Sequence, residues 1–264
     1  MSKKIFEQAK TWVLEAGELI RQKMDDPLVI DTKANANDLV TTIDRDTEAF
    51  LATNIKHTFP DHFILSEEGF GDNLSTLDGV VWIIDPIDGT INFVNQKRNF
   101  AISVGIFVDG VGEMGIVYDV MAGNLYTAKR GEGAFKNDQK LSPLKEELNL
   151  GESILGLNHN WLCENPVVDE IEIQQLVKRV RGTRAYGSAA LKLAFLAEGI
   201  IDSYISMNLA PWDIAGGMVL VSEVGGVTTN IDGNTVNMLG TDSTISCHPA
   251  ILEDLLEVMK KGRK

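Results

Sequence analysis

Val80-Val81-Trp82-Ile83-Ile84-Asp85-Pro86-Ile87-Asp88-Gly89-Thr90-Ile91-Asn92-Phe93 is the stretch from which the rest of this chain can be placed. Val80 to Ile84 is an apolar, β-branched-rich run and predicts a buried strand. The strand is expected to end at Asp85, because Pro86 lacks an N–H and biases the residue before it away from the α region. Asp88-Gly89 is a turn signal in which Gly89 is free to take a positive φ. Thr90 then opens a short helix, whose first N–H groups have no partner within the chain. Two carboxylates at a strand end thus face the same space as unsatisfied backbone donors, a pairing suited to a divalent metal beside a phosphate. A plain Asp-Gly turn explains one of these aspartates but does not require a second one across a proline.

Around that stretch lie 264 residues, 44% of them hydrophobic. That is enough for one large domain or two tightly packed halves. No run is long enough to span a membrane. The opening residues lack a charged-then-apolar leader, since Ile5-Phe6 meets Glu7, Gln8 and Lys10 at once. Cys163 and Cys247 are the only cysteines, too few for a disulfide framework, so a cytoplasmic setting is expected. With 24 Lys and Arg against 38 Asp and Glu, the net charge is −14, which argues against nucleic acid as a partner. The same charge suits a phosphorylated substrate only if cations intervene, because bound divalent metals reverse the local field.

Ile5, Ala9, Trp12, Val13, Ala16, Leu19 and Ile20 recur at helical spacing and predict an amphipathic helix over 2–24, stopped by Pro27, with Leu28-Val29-Ile30 as a short strand. Asn37-Asp38-Leu39-Val40 leads to Thr41 or Thr42 as the cap of a second helix that buries Phe50, Leu51, Ile55 and Phe59. Asp44 falls in its first turn, where the helix dipole favours a carboxylate. A strand over 63–65 runs into Ser66-Glu67-Glu68-Gly69, where at most one glutamate faces a shared metal. Residues 101–118 read as strands broken by an Asp109-Gly110 hairpin, and 125–128 and 133–135 continue the sheet.

Pro143 to Gly151 reads as a connection. Beyond it, strands over 153–157, 200–206, 227–230 and 244–247 alternate with helices over 164–178, 188–197, 211–223 and 249–261, the pattern of a layered α/β fold. The expected organisation is an N-terminal α+β half over 1–142, carrying the metal loop, and a C-terminal α/β half over 143–264, packed as one unit. A third acidic motif, Pro211-Trp212-Asp213, opens a helix. Ala215, Gly216 and Gly217 allow that helix a close approach, which is expected to set Asp213 deep, where a carboxylate needs a cation.

In these motifs the chain resembles the inositol monophosphatase family of lithium-sensitive, Mg²⁺-dependent sugar phosphatases. Trp82 to Phe93 fits one family signature, including its Thr90-x-Asn92-Phe93 ending, and Pro211 to Gly217 fits another. Asp38-Leu39-Val40-Thr41 with Asp44, and Glu67-Glu68-Gly69, stand in the expected order and spacing, so the match covers essentially the whole chain. The resemblance implies a layered α-β-α-β-α sugar-phosphatase fold, usually a homodimer, with two or three Mg²⁺ ions. It implies Glu67, Asp85 and the Ile87 carbonyl as ligands of the first ion, Asp85, Asp88 and Asp213 as ligands of the second, and Glu67 behind a third through water. Thr90 and Asp44 are implied as the pair that positions and deprotonates the attacking water, with Glu67 supporting catalysis and no covalent phosphoenzyme. Asp88, Gly89, Thr90, Gly187, Ser188, Ala189 and Ser206 are implied on the substrate side.

An all-oxygen ligand set suits Mg²⁺. His57, His62, His159 and His248 fall outside every motif and are expected to be surface or structural. One departure matters. Inositol-specific members carry a Glu seven residues before the Pro-Trp-Asp aspartate, and here that position is Ser206, a shorter and weaker acceptor. The expected activity is hydrolysis of inositol monophosphate and other small phosphates. The 2′-phosphate of NADP and fructose 1,6-bisphosphate are alternative substrates, and a regulatory binding role is the alternative of a different class. Glu198 or Asp202 stand as candidates to replace the missing acid.

Overall fold

Apolar residues three and four apart fold Ser2–Lys23 into α1, with Ile5, Ala9, Trp12, Val13, Ala16 and Ile20 buried. The computed structural model describes residues 2–25, 30–32 and 39–264; Pro27, Leu28, Val29, Asn37 and Asp38, on which parts of the sequence reading fall, lie outside them. β1 (Ile30–Thr32) pairs antiparallel with β2 (Leu39–Thr41), and Thr41 caps α2 (Thr42–Thr58). A seven-stranded sheet follows in chain order: β3 (Phe63–Ser66), β4 (Val80–Asp88), β5 (Ala101–Val108), β6 (Val111–Asp119), β7 (Asn124–Lys129), β8 (Gly133–Lys136) and β9 (Gln139–Lys140). Only β3 and β4 run parallel; every other neighbouring pair is antiparallel. Asp109 and Gly110 both take positive φ between β5 and β6, the backbone that a two-residue hairpin needs. α3 (Thr90–Gln96) is inserted between β4 and β5.

The second sheet holds β10 (Ile154–Leu157), β11 (Gly182–Arg184), β12 (Ser203–Leu209), β13 (Val227–Thr229) and β14 (Asp242–Cys247), in the order β11-β10-β12-β14-β13. Its helices are α4 (Glu170–Arg179), α5 (Ala189–Ala197), α6 (Pro211–Glu223) and α7 (Leu252–Lys261). α4 starts six residues later than the sequence reading has it. Asn165 takes the N–H groups of Val167 and Val168 onto its side chain, and Asp169 then caps the helix by accepting from Ile171. β12 runs from Ser203 to Leu209 rather than over 200–206.

The cores order the layers. Trp12, Val13 and Ile55 of α1 and α2 pack with Trp82, Ile84, Ile102 and Ile116 on one face of the first sheet. Val81, Ile83 and Phe107 on its other face pack with Leu193 and Ile214 of α5 and α6, which also meet Tyr204 of the second sheet. Ile173, Leu176, Leu255 and Met259 of α4 and α7 cover the outer face of that sheet. The result is the α-β-α-β-α sequence of layers. The central helices lie very close to the first sheet and to each other: a Cβ on Gly115 of β6 would stand 2.2 Å from the Gly216 carbonyl oxygen of α6, and one on Gly217 of α6 would stand 2.4 Å from Leu193 Cβ of α5. Among the described residues no helix is long and apolar enough to cross a membrane.

Candidate active site

β4 does not end at Asp85. It continues to Asp88, with Asp85 opposite Ser103 and Asp88 opposite Ala101 on β5. Two residues of β4 thus stand against one of β5, a bulge at Pro86-Ile87. Proline has no N–H for the ladder, which is why the extra residue falls there. In a regular strand, residues three apart point to opposite faces. The bulge restores parity, because Ser103 and Ala101 share a face, so Asp85 and Asp88 point together toward α5 and α6. Ile87 packs with the α1–α2 core instead. Its backbone also leaves the ladder: its N–H donates to Asp85 Oδ1 at 3.0 Å, and its carbonyl accepts from Thr90 Oγ1 at 3.1 Å.

Asp213 meets them from the start of α6. Carboxylate oxygens of Asp85, Asp88 and Asp213 all lie within 4.8 Å of one another. Asp213 is half-buried rather than deep, and its Oδ2 accepts the Ala210 N–H at 2.7 Å. Asp88 is buried, with Oδ1 accepting from Ala189 N at 3.1 Å and Oδ2 from Ala190 N at 2.7 Å and from the Ser188 hydroxyl. Ser188 and Ala189 therefore hold a carboxylate from the first turn of α5, where the dipole favours it. Burial pushes the Asp85 carboxyl well above the ordinary range, and the neighbouring charges of Glu67, Asp88, Asp213 and Asp44 add to it. Burial also raises Asp88, against the donors that hold it. Buried, crowded and purely oxygen-bearing, this set fits a hard divalent cation, which would reverse the field that strains it.

Asp44 stands beside this set. Its Oδ2 accepts from Thr41 N at 2.9 Å and Thr41 Oγ1 at 2.5 Å, and its Oδ1 lies 3.4 Å from Thr90 Oγ1. Burial, reinforced by Glu68 and Glu67, lifts its pKa to about 6 in spite of the Thr41 bonds. Gly89 caps α3 in the left-handed region, φ 97°. A side chain there would press on the Asn99 and Gly187 carbonyls, each 3.2 Å from its Cβ position, so the αL turn and the close approach both favour glycine. Gly187 itself is exposed at the same mouth. Glu67 is half-buried in the loop after β3.

Ser206 does not face solvent. It is 2% exposed on β12. Neither candidate replacement acid reaches it. Glu198 caps the opposite end of α5 and binds Tyr126 Oη at 2.6 Å and Lys136 Nζ at 2.7 Å. Asp202 precedes β12 and accepts the Ile154 N–H at 2.8 Å. The histidines stand apart as expected: His62 Nδ1 accepts from Trp82 Nε1, His248 bonds the Lys145 carbonyl, and His57 and His159 are exposed.

Three contributors take no role from the sequence: Lys192 and Glu48 lie outside the motifs, and Asn92 lies inside one. Lys192 is 1% exposed behind the acids, with Nζ 2.5 Å from Asn158 Oδ1 and 4.4 Å from the Tyr204 ring centre. Burial lowers its pKa to about 8, with Asp88 and Asp213 pulling the other way. Its signal is a lone charge in an otherwise apolar helix. Asn92 Nδ2 ties the Asn99 and Tyr186 carbonyls together, at 2.8 and 2.7 Å. Glu48, 0% exposed on α2, takes up the loop that carries Glu67. Its signal is its place four residues after Asp44, on the same helix face.

The sequence model of the inositol monophosphatase family matches residues 1–262. An inositol-1-monophosphatase of Bacillus subtilis is 53% identical over 98% of each chain. A protein named Nus factor SuhB, from Escherichia coli, is 34% identical over 93% of this chain and 92% of its own. Among solved structures, SaIMPase-II bound to 2′AMP superposes with a TM-score of 0.88 at 41% identity, covering 96% of this chain and 93% of that one. The inositol monophosphate complex of SaIMPase-II gives 0.85 at 40% identity, covering 97% and 93%. An IMPase/NADP phosphatase complexed with Mg²⁺ and phosphate gives 0.91 at 28% identity, covering 99% and 98%.

Proposed function

The chain belongs to the inositol monophosphatase family and is a phosphatase; from that premise we propose that it hydrolyses inositol monophosphate and other small phosphate monoesters, 2′-phosphates included. The observation that carries this reading is the convergence of Asp85, Asp88 and Asp213 beside the Asp44–Thr90 pair. Glu67, Asp85 and the Ile87 carbonyl would hold one Mg²⁺, Asp85, Asp88 and Asp213 would hold a second, and Glu67 would stand behind a third. Mg²⁺ bound there would supply charge neutralisation at the phosphate and the leaving alkoxide and a lowered pKa for bound water. The chain's own residues do the rest. The backbone N–H groups of Gly89 and Thr90 take a phosphate oxygen at the start of α3. Thr90 Oγ1 orients the water, and Asp44, its pKa raised by burial to about 6, receives the proton as general base. Attack is in line, and Asp85, whose oxygens would be taken up by metal, is not a nucleophile.

Ser206 supports the breadth of substrate. A site rejects a wrong alcohol strongly when that alcohol leaves a buried polar group unpaired. Ser206 is buried and carries a hydroxyl, so no acid stands there to read an inositol ring. The protein works as a homodimer in the cytoplasm. Phosphate release from inositol monophosphate, 2′-AMP, NADP and fructose 1,6-bisphosphate, with and without Mg²⁺, tests the reading. We expect Mg²⁺-dependent turnover, with catalytic efficiencies on the first two within roughly tenfold. Absence of Mg²⁺-dependent release from all four would reject it.

A further inference from the structure

Glu48 lies four residues beyond Asp44 on α2, is fully buried, and touches none of the clustered aspartates. Its carboxylate points across to the loop after β3. Oε1 accepts from Ser66 Oγ at 2.7 Å and from Phe70 N at 2.9 Å, and Oε2 accepts from Glu68 N at 2.7 Å. These three donors bracket Glu67 on both sides. Within the loop Gly69 takes φ 94° with open space around it, and Phe70 is exposed. A buried carboxylate without donors is costly, so Glu48 and the loop order each other.

We propose that Glu48 is a positioning residue for metal binding: it fixes the Glu67 carboxylate relative to Asp44, because one helix carries both Asp44 and the clamp on the Glu67 loop. Asp44 and Glu48 share a face of α2, so the general base and the metal-bearing loop move as one body. This rests on the reading of Glu67 as a Mg²⁺ ligand given above. An outer partner of this kind leaves the chemistry intact and sets the affinity for the ion.

Glu48→Gln tests it. The amide keeps the shape but must turn an NH₂ toward a donor, so at least one loop bond is lost. In the full-length protein, Mg²⁺ for half-maximal phosphate release is expected to rise roughly 10- to 100-fold, with kcat at saturating Mg²⁺ within about threefold of wild type. Mn²⁺ binding followed by electron paramagnetic resonance is expected to show one weakened class of site, without any turnover being measured. Ser66→Ala, which removes one bond of three, is expected to shift both readouts the same way by a few-fold.

A folded Glu48→Gln protein with unchanged Mg²⁺ requirement and Mn²⁺ binding overturns the proposal. So does a loss of kcat that saturating Mg²⁺ does not restore. If Glu48→Gln does not fold, Ser66→Ala decides by the same two readouts. Failure of the wild-type protein to bind Mn²⁺ would instead overturn the metal-dependent reading itself, and the control shows this before any variant is compared.

Discussion

Helices α2 and α6 begin alike and are put to different uses. Each carries an aspartate at its third residue, and each aspartate turns back onto the N–H of the cap: Thr41 N to Asp44 at 2.9 Å, Ala210 N to Asp213 at 2.7 Å. This is the reciprocal half of a capping box, which satisfies a donor the helix cannot. The caps differ. Thr41 adds a hydroxyl on the same Asp44 oxygen, while Ala210 has none to add. Asp44 is buried with its other oxygen toward Thr90; Asp213 is half-buried among Asp85 and Asp88. A local rule of helix stability thus serves twice to aim a carboxylate. On the proposed reading, what the second oxygen meets, a hydroxyl or other carboxylates, separates proton chemistry from cation binding.

The largest expected effect lies on the cation side. Asp213→Asn and Asp88→Asn should each lower turnover on the order of 10³-fold. Asp213→Asn keeps an oxygen for the Ala210 N–H and should melt no lower than wild type. Near-normal Mg²⁺-dependent rates in either variant would erase the distinction between the two helix starts. On the proton side, Asp44→Asn should cost on the order of 10²-fold in kcat. Calorimetry should find its Mg²⁺ affinity little changed; a variant that mainly lost Mg²⁺ would make Asp44 a ligand like Asp213.

Acid should separate the two effects in stability. Asp44 has a pKa of about 6 here against an ordinary 3.8, and Asp85 is shifted the same way. The folded chain then binds more protons than the unfolded one in that window. Without metal, this contribution to stability is present below about pH 4 and is lost as pH rises through about 6. Mg²⁺ competes with protons for the same oxygens, so the rise in melting temperature on adding Mg²⁺ should be larger at pH 7 than at pH 5. A rise independent of pH would contradict the crowding of these carboxylates. The smallest expected effect is at the cap. Thr41→Val, which removes only the hydroxyl, should cost about 1 kcal/mol in chemical denaturation and slow kcat less than Asp44→Asn does.

Most of this site is legible in the sequence because its acids sit where local rules already put acids, at strand ends and in first helical turns. Asp44 and Asp213 could be placed by capping logic alone, and Gly89 by turn chemistry. The parts that were not legible depend on contacts between distant segments. That Asp85 and Asp88 share a face is decided by pairing with Ser103 and Ala101, which no pattern within 80–93 contains. Ser188 and Ala189 hold Asp88 from a hundred residues away. Glu48 reads as an ordinary helix-surface charge until the 66–70 loop is folded onto it. β11 escapes notice because Gly182-Thr183-Arg184 is a short polar edge strand paired only with β10, without the alternation that marks a half-buried one.

The bulge in β4 also decides what mutagenesis can see. By breaking the ladder at Pro86-Ile87, it turns a main-chain carbonyl and a main-chain amide toward Thr90 and Asp85. Neither group belongs to a side chain, so an alanine scan passes over both without registering a loss. Replacing Ile87 by another apolar residue would test the α1–α2 core and leave the oxygen in place. The residue that governs these groups is Pro86, through an N–H it does not have. Part of this site is therefore encoded as a missing donor, and amide-to-ester replacement of individual backbone units is the perturbation that reads it.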